Sequence, residues 1–280
     1  MELIISTYNN PRALDLCLTA VKLQTINDFK VCIADDGSGI ETQDLIKAWK
    51  KKYPPGQFRH VWHEDHGFQK NKILNRAIAT SEAEYLIFID GDCLPSPQFI
   101  ERHLEKSRPN TFCSGGVVRL DEKMTDLASK EFIECGEIFS KEWLKTNKGE
   151  KKIGALLKLN YIPKSVAKFL EYISPVKKTW NGGNASTWRQ HLLEVNGFEE
   201  YLRYGAEDIE LGYRLNNAGV KGQHIRYTAP LLHLEHTRSY ADHEVARQNK
   251  LIAKASKKSK KTKSKNGIFE NHDKANPADQ

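Results

Sequence analysis

The sequence predicts an α/β fold built on a mixed, mostly parallel sheet flanked by helices. Three observations carry that expectation. The first third of the chain alternates short apolar, β-rich runs with stretches of helical spacing. Three of those runs end in polar or acidic loops. The 280 residues leave room for one large α/β domain or two small ones, with a sizeable buried core. Strand, helix, strand at this pitch implies right-handed crossovers and a sheet buried on both faces. Ligands bind such sheets beyond the carboxyl ends of the strands, so chemistry is sought in the loops after Ser6, Ala34, Trp62 and Ile89.

In chain order, strands are expected at Leu3-Ile4-Ile5-Ser6, Lys30-Val31-Cys32-Ile33-Ala34, Phe58-Arg59-His60-Val61-Trp62 and Tyr85-Leu86-Ile87-Phe88-Ile89. Between them, helical spacing runs over 13–23, behind Asn10-Pro11, over 42–52 and over 70–79. The middle, about 120–178, mixes Trp143, Leu156, Leu157, Leu159, Phe169, Leu170, Tyr172 and Ile173 with Lys151, Lys152, Lys158, Lys164, Lys168, Lys177 and Lys178. Pro163 and Pro175 break it into short pieces. Two readings stand for it: a helical insertion whose lysines are simply solvated, or a basic amphipathic surface lying on anionic lipid. After Trp180 comes a glycine-rich turn, then helical spacing over 187–195, ended by Asn196-Gly197, and over 207–217, closed by Gly219. The lysine-rich and then polar C-terminus is too poor in apolar surface to fold and is expected to be disordered.

Composition narrows the classes. With 39% hydrophobic and 28% charged residues, no apolar run approaches the roughly 18 residues of a membrane span, and Met1 leads almost directly into a strand. Neither a signal peptide nor a transmembrane helix is expected. The five cysteines, Cys17, Cys32, Cys93, Cys113 and Cys135, form no CxxC pair, which fits a reducing cytosol. The formal charge of +7 belongs to the C-terminal end: residues 250–265 carry eight lysines and no acid, leaving 35 basic against 36 acidic residues elsewhere. No aromatic interleaving accompanies those lysines, which argues against a nucleic-acid site.

Asp90-Gly91-Asp92 directly follows the strand ending at Ile89, so two carboxylates stand at the carboxyl end of a central strand, separated by a glycine that permits a tight bend. Such a triplet also makes a plain turn, but its place behind four apolar residues favours function. Hard oxygen ligands there suit Mg²⁺ or Mn²⁺ bridging a diphosphate. Asp35-Asp36-Gly37-Ser38-Gly39 ends the second strand, where a carboxylate either accepts from a base N–H or ribose hydroxyl or caps a turn. Ile5-Ser6-Thr7-Tyr8-Asn9-Asn10-Pro11 ends the first in the same way. Glu207-Asp208 opens a helix whose dipole favours acids in its first turn, so a structural cap competes with a catalytic role. In His233-Leu234-Glu235-His236 the two histidines lie three apart and would share a face only on a helical turn. His60, His63 and His66 lack the spacing of a closed zinc site, and His66-Gly67 is read as part of a donor-side loop.

Taken together, the order of these motifs resembles the family 2 glycosyltransferases of the GT-A fold. The N-terminal motifs are a strand with Ser-Thr-Tyr-Asn, a strand with Asp-Asp-Gly-Ser, the Gly67-Phe68-Gln69-Lys70-Asn71-Lys72-Ile73-Leu74-Asn75 helix, then a strand with Asp-Gly-Asp. Downstream, Trp180-Asn181-Gly182-Gly183-Asn184, Val195-Asn196-Gly197-Phe198, Gly205-Ala206-Glu207-Asp208-Ile209-Glu210-Leu211 and Arg214-Leu215 resemble a galactosyltransferase-type C-terminal region. The likeness covers about 3–236. It implies transfer of a sugar from a UDP-sugar to an acceptor hydroxyl, with inversion, aided by Mn²⁺ or Mg²⁺. Thr7 and Tyr8 would line the uracil and ribose pocket, with Asp36 reading the uracil edge and Asp35 nearby. Lys72 and Asn75 would approach the donor's ribose or phosphates. Asp90, next to Gly91, would hold the ribose or a metal water, and Asp92 would bind the metal, completed by His233, which fits the family position better than His236. Trp180, Gly182, Gly183 and Asn184 would form the acceptor side, although Asn184 departs from the aromatic or aliphatic residue often found there. Asp208 would be the base, with Glu207 binding sugar hydroxyls.

The resulting organisation is a nucleotide-sugar-binding half over 1–118, a lysine-rich helical insertion over 119–179, an acceptor-binding and catalytic half over 180–250, and a disordered basic tail over 251–280. The expected acceptor is a bacterial-type surface glycan or glycolipid. The expected location is the cytoplasm, with peripheral attachment to the anionic inner face of the cytoplasmic membrane through the lysine-rich segments as the sharper reading. Two competitors remain. A nucleotidyltransferase would make the sugar nucleotide, though Thr7-Tyr8-Asn9-Asn10 stands where such enzymes carry a basic, glycine-rich phosphate loop. A non-catalytic sugar-nucleotide-binding scaffold would tolerate loss of Asp208.

Overall fold

The computed structural model describes residues 1–147, 163–236 and 242–269. The expected alternation is present: β1 (Glu2–Thr7), α1 (Pro11–Lys22), β2 (Lys30–Asp35), α2 (Ile40–Lys50), β3 (Phe58–Trp62), α3 (Lys70–Ala79) and β4 (Tyr85–Asp90). α1 starts where the sequence signals it, with the Asn10 side chain accepting from the Ala13 amide and Pro11 in the first turn, where no amide hydrogen is needed. β1 is buried at all six positions, and β2 and β4 at five of six, which is why these three read as apolar runs rather than alternating ones, unlike the edge strand β3. Even Glu2 is buried, held by Arg59 at 2.7 and 2.8 Å.

β1 pairs in parallel with β2 on one side and β4 on the other, and β2 with β3. The chain therefore leaves β1 in one direction to build β2 and β3 and returns on the other side to build β4. That reversal opens a crevice at the carboxyl ends of β1 and β4. The rest of the sheet is mixed. After β5 (Cys93–Pro95) and α4 (Phe99–Lys106), β6 (Thr111–Gly115) joins through β8 (Ala185–Trp188), which runs antiparallel to both β4 and β6, and β9 (Lys221–Ile225) pairs in parallel with β6. A second, three-stranded sheet sets β10 (Leu231–His233) between β5 and β7 (Val117–Arg119), with His233 opposite Cys93 and Arg119.

Alternate residues of the central strands face two apolar layers. On one face Leu3, Ile5, Val31, Ile33, Ile87 and Ile89 pack with α1. On the other, Ile4, Cys32, Ala34, Leu86 and Phe88 pack with Ile73 of α3, with Leu192 of α9 (Arg189–Glu194), and with Leu211 and Leu215 of α10 (Glu207–Asn217). Residues 187 and 188, expected at the start of a helix, instead end β8. The lysine-rich middle forms α5 (Glu122–Leu127), α6 (Lys130–Glu134), a short 3₁₀ turn, α7 (Lys141–Asn147) and α8 (Lys164–Tyr172). In its first half Met124, Ile133, Ile138, Trp143 and Leu144 belong to the first apolar layer, while Lys123, Lys130 and Lys145 are exposed. Leu156, Leu157, Leu159, Lys151, Lys152 and Lys158 lie outside the described residues. Among the described residues no helix is long and apolar enough to cross a membrane.

The basic C-terminal segment departs from the expectation of disorder as far as residue 269. α11 (His243–Lys258) packs on α10, and the chain then folds back along the Asn196 turn. Ser264 N donates to Val195 O, the Phe269 amide donates to Asn196 Oδ1 at 3.0 Å, and Ile268 is 3% exposed in the second apolar layer. Glu199 accepts from Ser264 Oγ, the Lys265 amide and Asn266 Nδ2. One isoleucine and a set of backbone partners thus supply what the segment's composition lacks. Residues 270–280 lie outside the described residues.

Candidate active site

A cavity of about 840 Å³ opens at the crevice between β1 and β4. Thr7, Tyr8, Asp36, Asp90, Gly91, Asp92, Trp180, Gly183, Glu207, Asp208 and His233 all line it. Motifs from both halves of the chain therefore meet on one surface.

On the strand-end side, Asp90 is fixed from two directions: Ser6 Oγ donates to its Oδ1 at 2.7 Å and Lys70 Nζ at 2.6 Å. Lys70 opens α3 and points into the cavity. Burial opposes its charge, but Asp90, Asp208 and Glu207 outweigh that cost and raise its pKa well above the ordinary value, so it stays an ammonium. Asp36 faces the cavity with Oδ1 against His63 Nε2 at 2.8 Å and Oδ2 accepting the Gln69 amide at 3.0 Å. Burial raises its pKa, opposed by those two bonds. Tyr8 Oη donates to Asp65 Oδ2 at 2.8 Å at the mouth.

On the opposite side, β10 brings His233 beside Asp92, Nε2 to Oδ2 3.7 Å, and His236 reaches the same oxygen at 2.8 Å. The two imidazoles stack, 5.7 Å between centroids and 21° between planes. Extended-strand spacing put them on different faces, but the chain bends immediately after β10: Leu234 N bonds to Asp92 O and Glu235 N to Thr125 Oγ1. Sequence reasoning therefore ranked His236 below His233. Burial works against the Asp92 carboxylate, yet the His236 hydrogen bond and the charges of His233, His236 and Lys70 hold its pKa below the ordinary value. Burial likewise lowers the pKa of His233, against the pull of Asp92.

Glu207 and Asp208 stand in the first turn of α10, behind Gly205 (φ +99°) and Ala206 (φ +76°). Two consecutive left-handed residues turn the chain sharply enough to aim both carboxylates inward. Asp208 Oδ2 accepts the Gly182 amide at 2.8 Å, and a Cβ on Gly182 would sit 2.6 Å from Oδ1, so the glycine is what lets the carboxylate lie there. Burial raises the pKa of both acids, with mutual repulsion adding to that of Glu207 and Lys70 opposing it in each.

Five expected site residues lie off the cavity wall. Asp35 is fully buried, capping its own turn through the Ser38 amide and meeting His60 Nε2 at 2.9 Å. Lys72 is exposed: two positions beyond Lys70 on a helix is about 200° away. Asn75 is buried against the 198–200 segment, accepting from Phe198 N and donating to Phe198 O. Gly182 acts through Asp208 as described. Asn184 is buried, donating to Gly116 O and Ala229 O and accepting from His103 Nε2. It fastens the two sheets together, which explains a polar residue at a position the resemblance fills with an apolar one. His60 and His63 are paired with carboxylates, and Gly67 but not His66 lines the cavity. Lys70 was overlooked because the motif drew attention to Lys72, although its place at the helix start was visible.

Residues 2–159 match Glycosyl transferase family 2, and residues 163–237 match a second family, described as the N-terminal domain of galactosyltransferase. The chain is 22% identical over 236 residues to chondroitin synthase of Escherichia coli, covering 78% of this chain and 32% of that one, so it spans about a third of that relative's length. In structure it resembles the mannosyltransferase PcManGT of Pyrobaculum calidifontis, solved with GDP-Man and Mn²⁺, with TM-score 0.59 and 17% identity over 94% of this chain and 65% of that one. It also resembles S. aureus TarS 1–349, solved with UDP, with TM-score 0.58 and 13% identity over 92% of this chain and 68% of that one. These likenesses establish the shared GT-A architecture. The chain belongs to glycosyl transferase family 2.

Proposed function

We propose that this glycosyltransferase moves a hexosyl or N-acetylhexosaminyl group from a UDP-sugar to an acceptor hydroxyl, with inversion, in making a bacterial-type surface glycan or glycolipid. The observation that carries the reading is that Asp92 and Asp208 open on one cavity, with the Lys70 ammonium near both acidic clusters. The ligands of the two structural neighbours, GDP-Man in one and UDP in the other, support a nucleotide sugar as donor.

The residues fit a divalent cation. Donor atoms of Asp92, His233 and His236 lie within 4.8 Å of one another, and one carboxylate with two imidazoles suits Mn²⁺ better than Mg²⁺. When bound, the cation neutralises charge on the diphosphate. Lys70 adds a fixed positive charge on the same side, where negative charge grows as UDP departs. Asp36, held at both oxygens, presents a fixed acceptor to the uracil edge beside Thr7 and Tyr8. The Gly182 amide holds Asp208 Oδ2 and leaves Oδ1 free to take the acceptor's proton. Glu207 binds sugar hydroxyls, and Trp180 with Gly183 lines the acceptor side, the buried Trp180 ring being packed among Phe88, Phe112 and Phe198. The acceptor is met through peripheral attachment to the anionic inner face of the cytoplasmic membrane, by way of the lysine-rich segments.

A screen of UDP-sugars with Mn²⁺ and with chelator tests the reading. Metal-dependent release of UDP from one of them is expected. Release of pyrophosphate from UTP and a sugar phosphate would show a nucleotidyltransferase instead, and binding without turnover across a broad acceptor panel would leave only a scaffold.

A further inference from the structure

The geometry points to the outer face of α8, rather than the lysines after residue 250, as the element that seats the enzyme on an anionic lipid surface; this rests on the peripheral attachment put forward above. α8 is built inside out. Its inner face buries Ala167 and the carboxylate of Glu171, which accepts from Lys106 Nζ, the amides of Tyr227 and Thr228, and Thr228 Oγ1. Its outer face presents Val166, Phe169, Tyr172 and Ile173, followed by Val176 just past the helix. Steps of three and four residues put these on one stripe, and Phe169, Ile173 and Tyr172 are 59%, 53% and 84% exposed.

A surface helix ordinarily shows its carboxylates and hides its aromatics. Here the reverse holds, and the exposed charges within residues 165–179, Lys168, Lys177 and Lys178, are all positive. Glu171 is the lone acid of residues 163–179 and it is buried. An apolar stripe with aromatics, rimmed by lysines, has the composition of a helix lying in a lipid interface. Charge selects the occupant. A second copy docked about a two-fold axis would set these lysines against themselves, whereas an anionic lipid surface complements both the stripe and its rim.

Cosedimentation of the full chain with vesicles of phosphatidylcholine, alone or with phosphatidylglycerol added, tests this. Phe169→Ser/Tyr172→Ser and, as a second pair, Val166→Ser/Ile173→Ser are compared with Lys257→Gln/Lys258→Gln in α11. The wild type is expected to pellet with the anionic vesicles. Each α8 pair should lower partitioning by about tenfold and the α11 pair by less than about twofold, with UDP release unchanged in all three. Wild-type pelleting by both α8 pairs overturns the assignment and leaves peripheral attachment standing. A wild type that stays in solution with both vesicle types overturns the attachment itself. A wild-type dimer in light scattering that the α8 pairs convert to monomer overturns the assignment in favour of a second copy.

Discussion

The two banks of the cavity are built by different means. On one, Thr7, Asp36 and Asp90 stand at or just beyond the carboxyl ends of three neighbouring parallel strands, and the sheet itself brings them together. On the other, His233, His236 and Asp208 are placed by a three-residue strand, a bend, the Gly182 amide and two consecutive left-handed residues. A parallel sheet gathers whatever follows its strands, so the first bank should tolerate variation in its loops. The second bank depends on particular backbone conformations and on tertiary hydrogen bonds, so single changes there should act more sharply.

Lys70 links the banks, and its loss should have the largest effect among residues outside the proposed base and metal ligands. Lys70→Ala should lower kcat/KM by about 100-fold, whereas Lys72→Ala should change it by less than about twofold. Equal losses in steady-state UDP release would mean that both lysines reach the donor. Next come the stacked histidines. His233→Ala and His236→Ala should each weaken Mn²⁺ binding by about 10- to 100-fold in calorimetric titrations, and an effect confined to His233 would break the claim that the bend after β10 completes the site.

Smaller effects separate folding from chemistry. Asn75→Ala orphans the buried amide and carbonyl of Phe198, so it should cost about 1–3 kcal/mol in urea unfolding while leaving the donor KM unchanged. A raised donor KM in the folded variant would return Asn75 to the binding site. Last is a pH effect. Burial, then the charge of Asp208, raise the Glu207 pKa, so the ionised form burdens the fold above that raised pKa. Protonation lifts the burden as pH falls through it, and below the ordinary carboxylate range both folded and unfolded chains are protonated. Glu207→Gln should therefore stabilise the protein by on the order of 1 kcal/mol at pH 8, with the gain fading on acidification. A gain that persists undiminished at pH 4 would contradict the raised pKa.

How far each part could be read from residues alone follows the same division. β1, β2 and β4 announced themselves because parallel strands buried on both faces are largely continuous apolar runs, the edge strand β3 by its β-prone Phe58, Val61 and Trp62, and Asn10-Pro11 marked the start of α1. The three-residue strands β5, β7 and β10 carry no periodicity and exist through pairing with distant partners, so the sheet that seats His233 was invisible. The motif resemblance located Asp92 and Asp208 but not the rotation of α3, which turns Lys70 inward and Lys72 outward. Nor could composition show that Ile268 and the polar groups of Glu199 and Asn196 would pin a lysine-rich segment to the core.

The most direct test measures UDP binding with and without Mn²⁺, alongside turnover, in Asp92→Ala and Asp208→Asn. Asp92→Ala should lose the metal-dependent part of UDP affinity. Asp208→Asn should keep that affinity while transfer falls by at least about 100-fold. Near-normal turnover in Asp208→Asn, or metal-dependent UDP binding that survives in Asp92→Ala, would contradict the division of labour between the two acids.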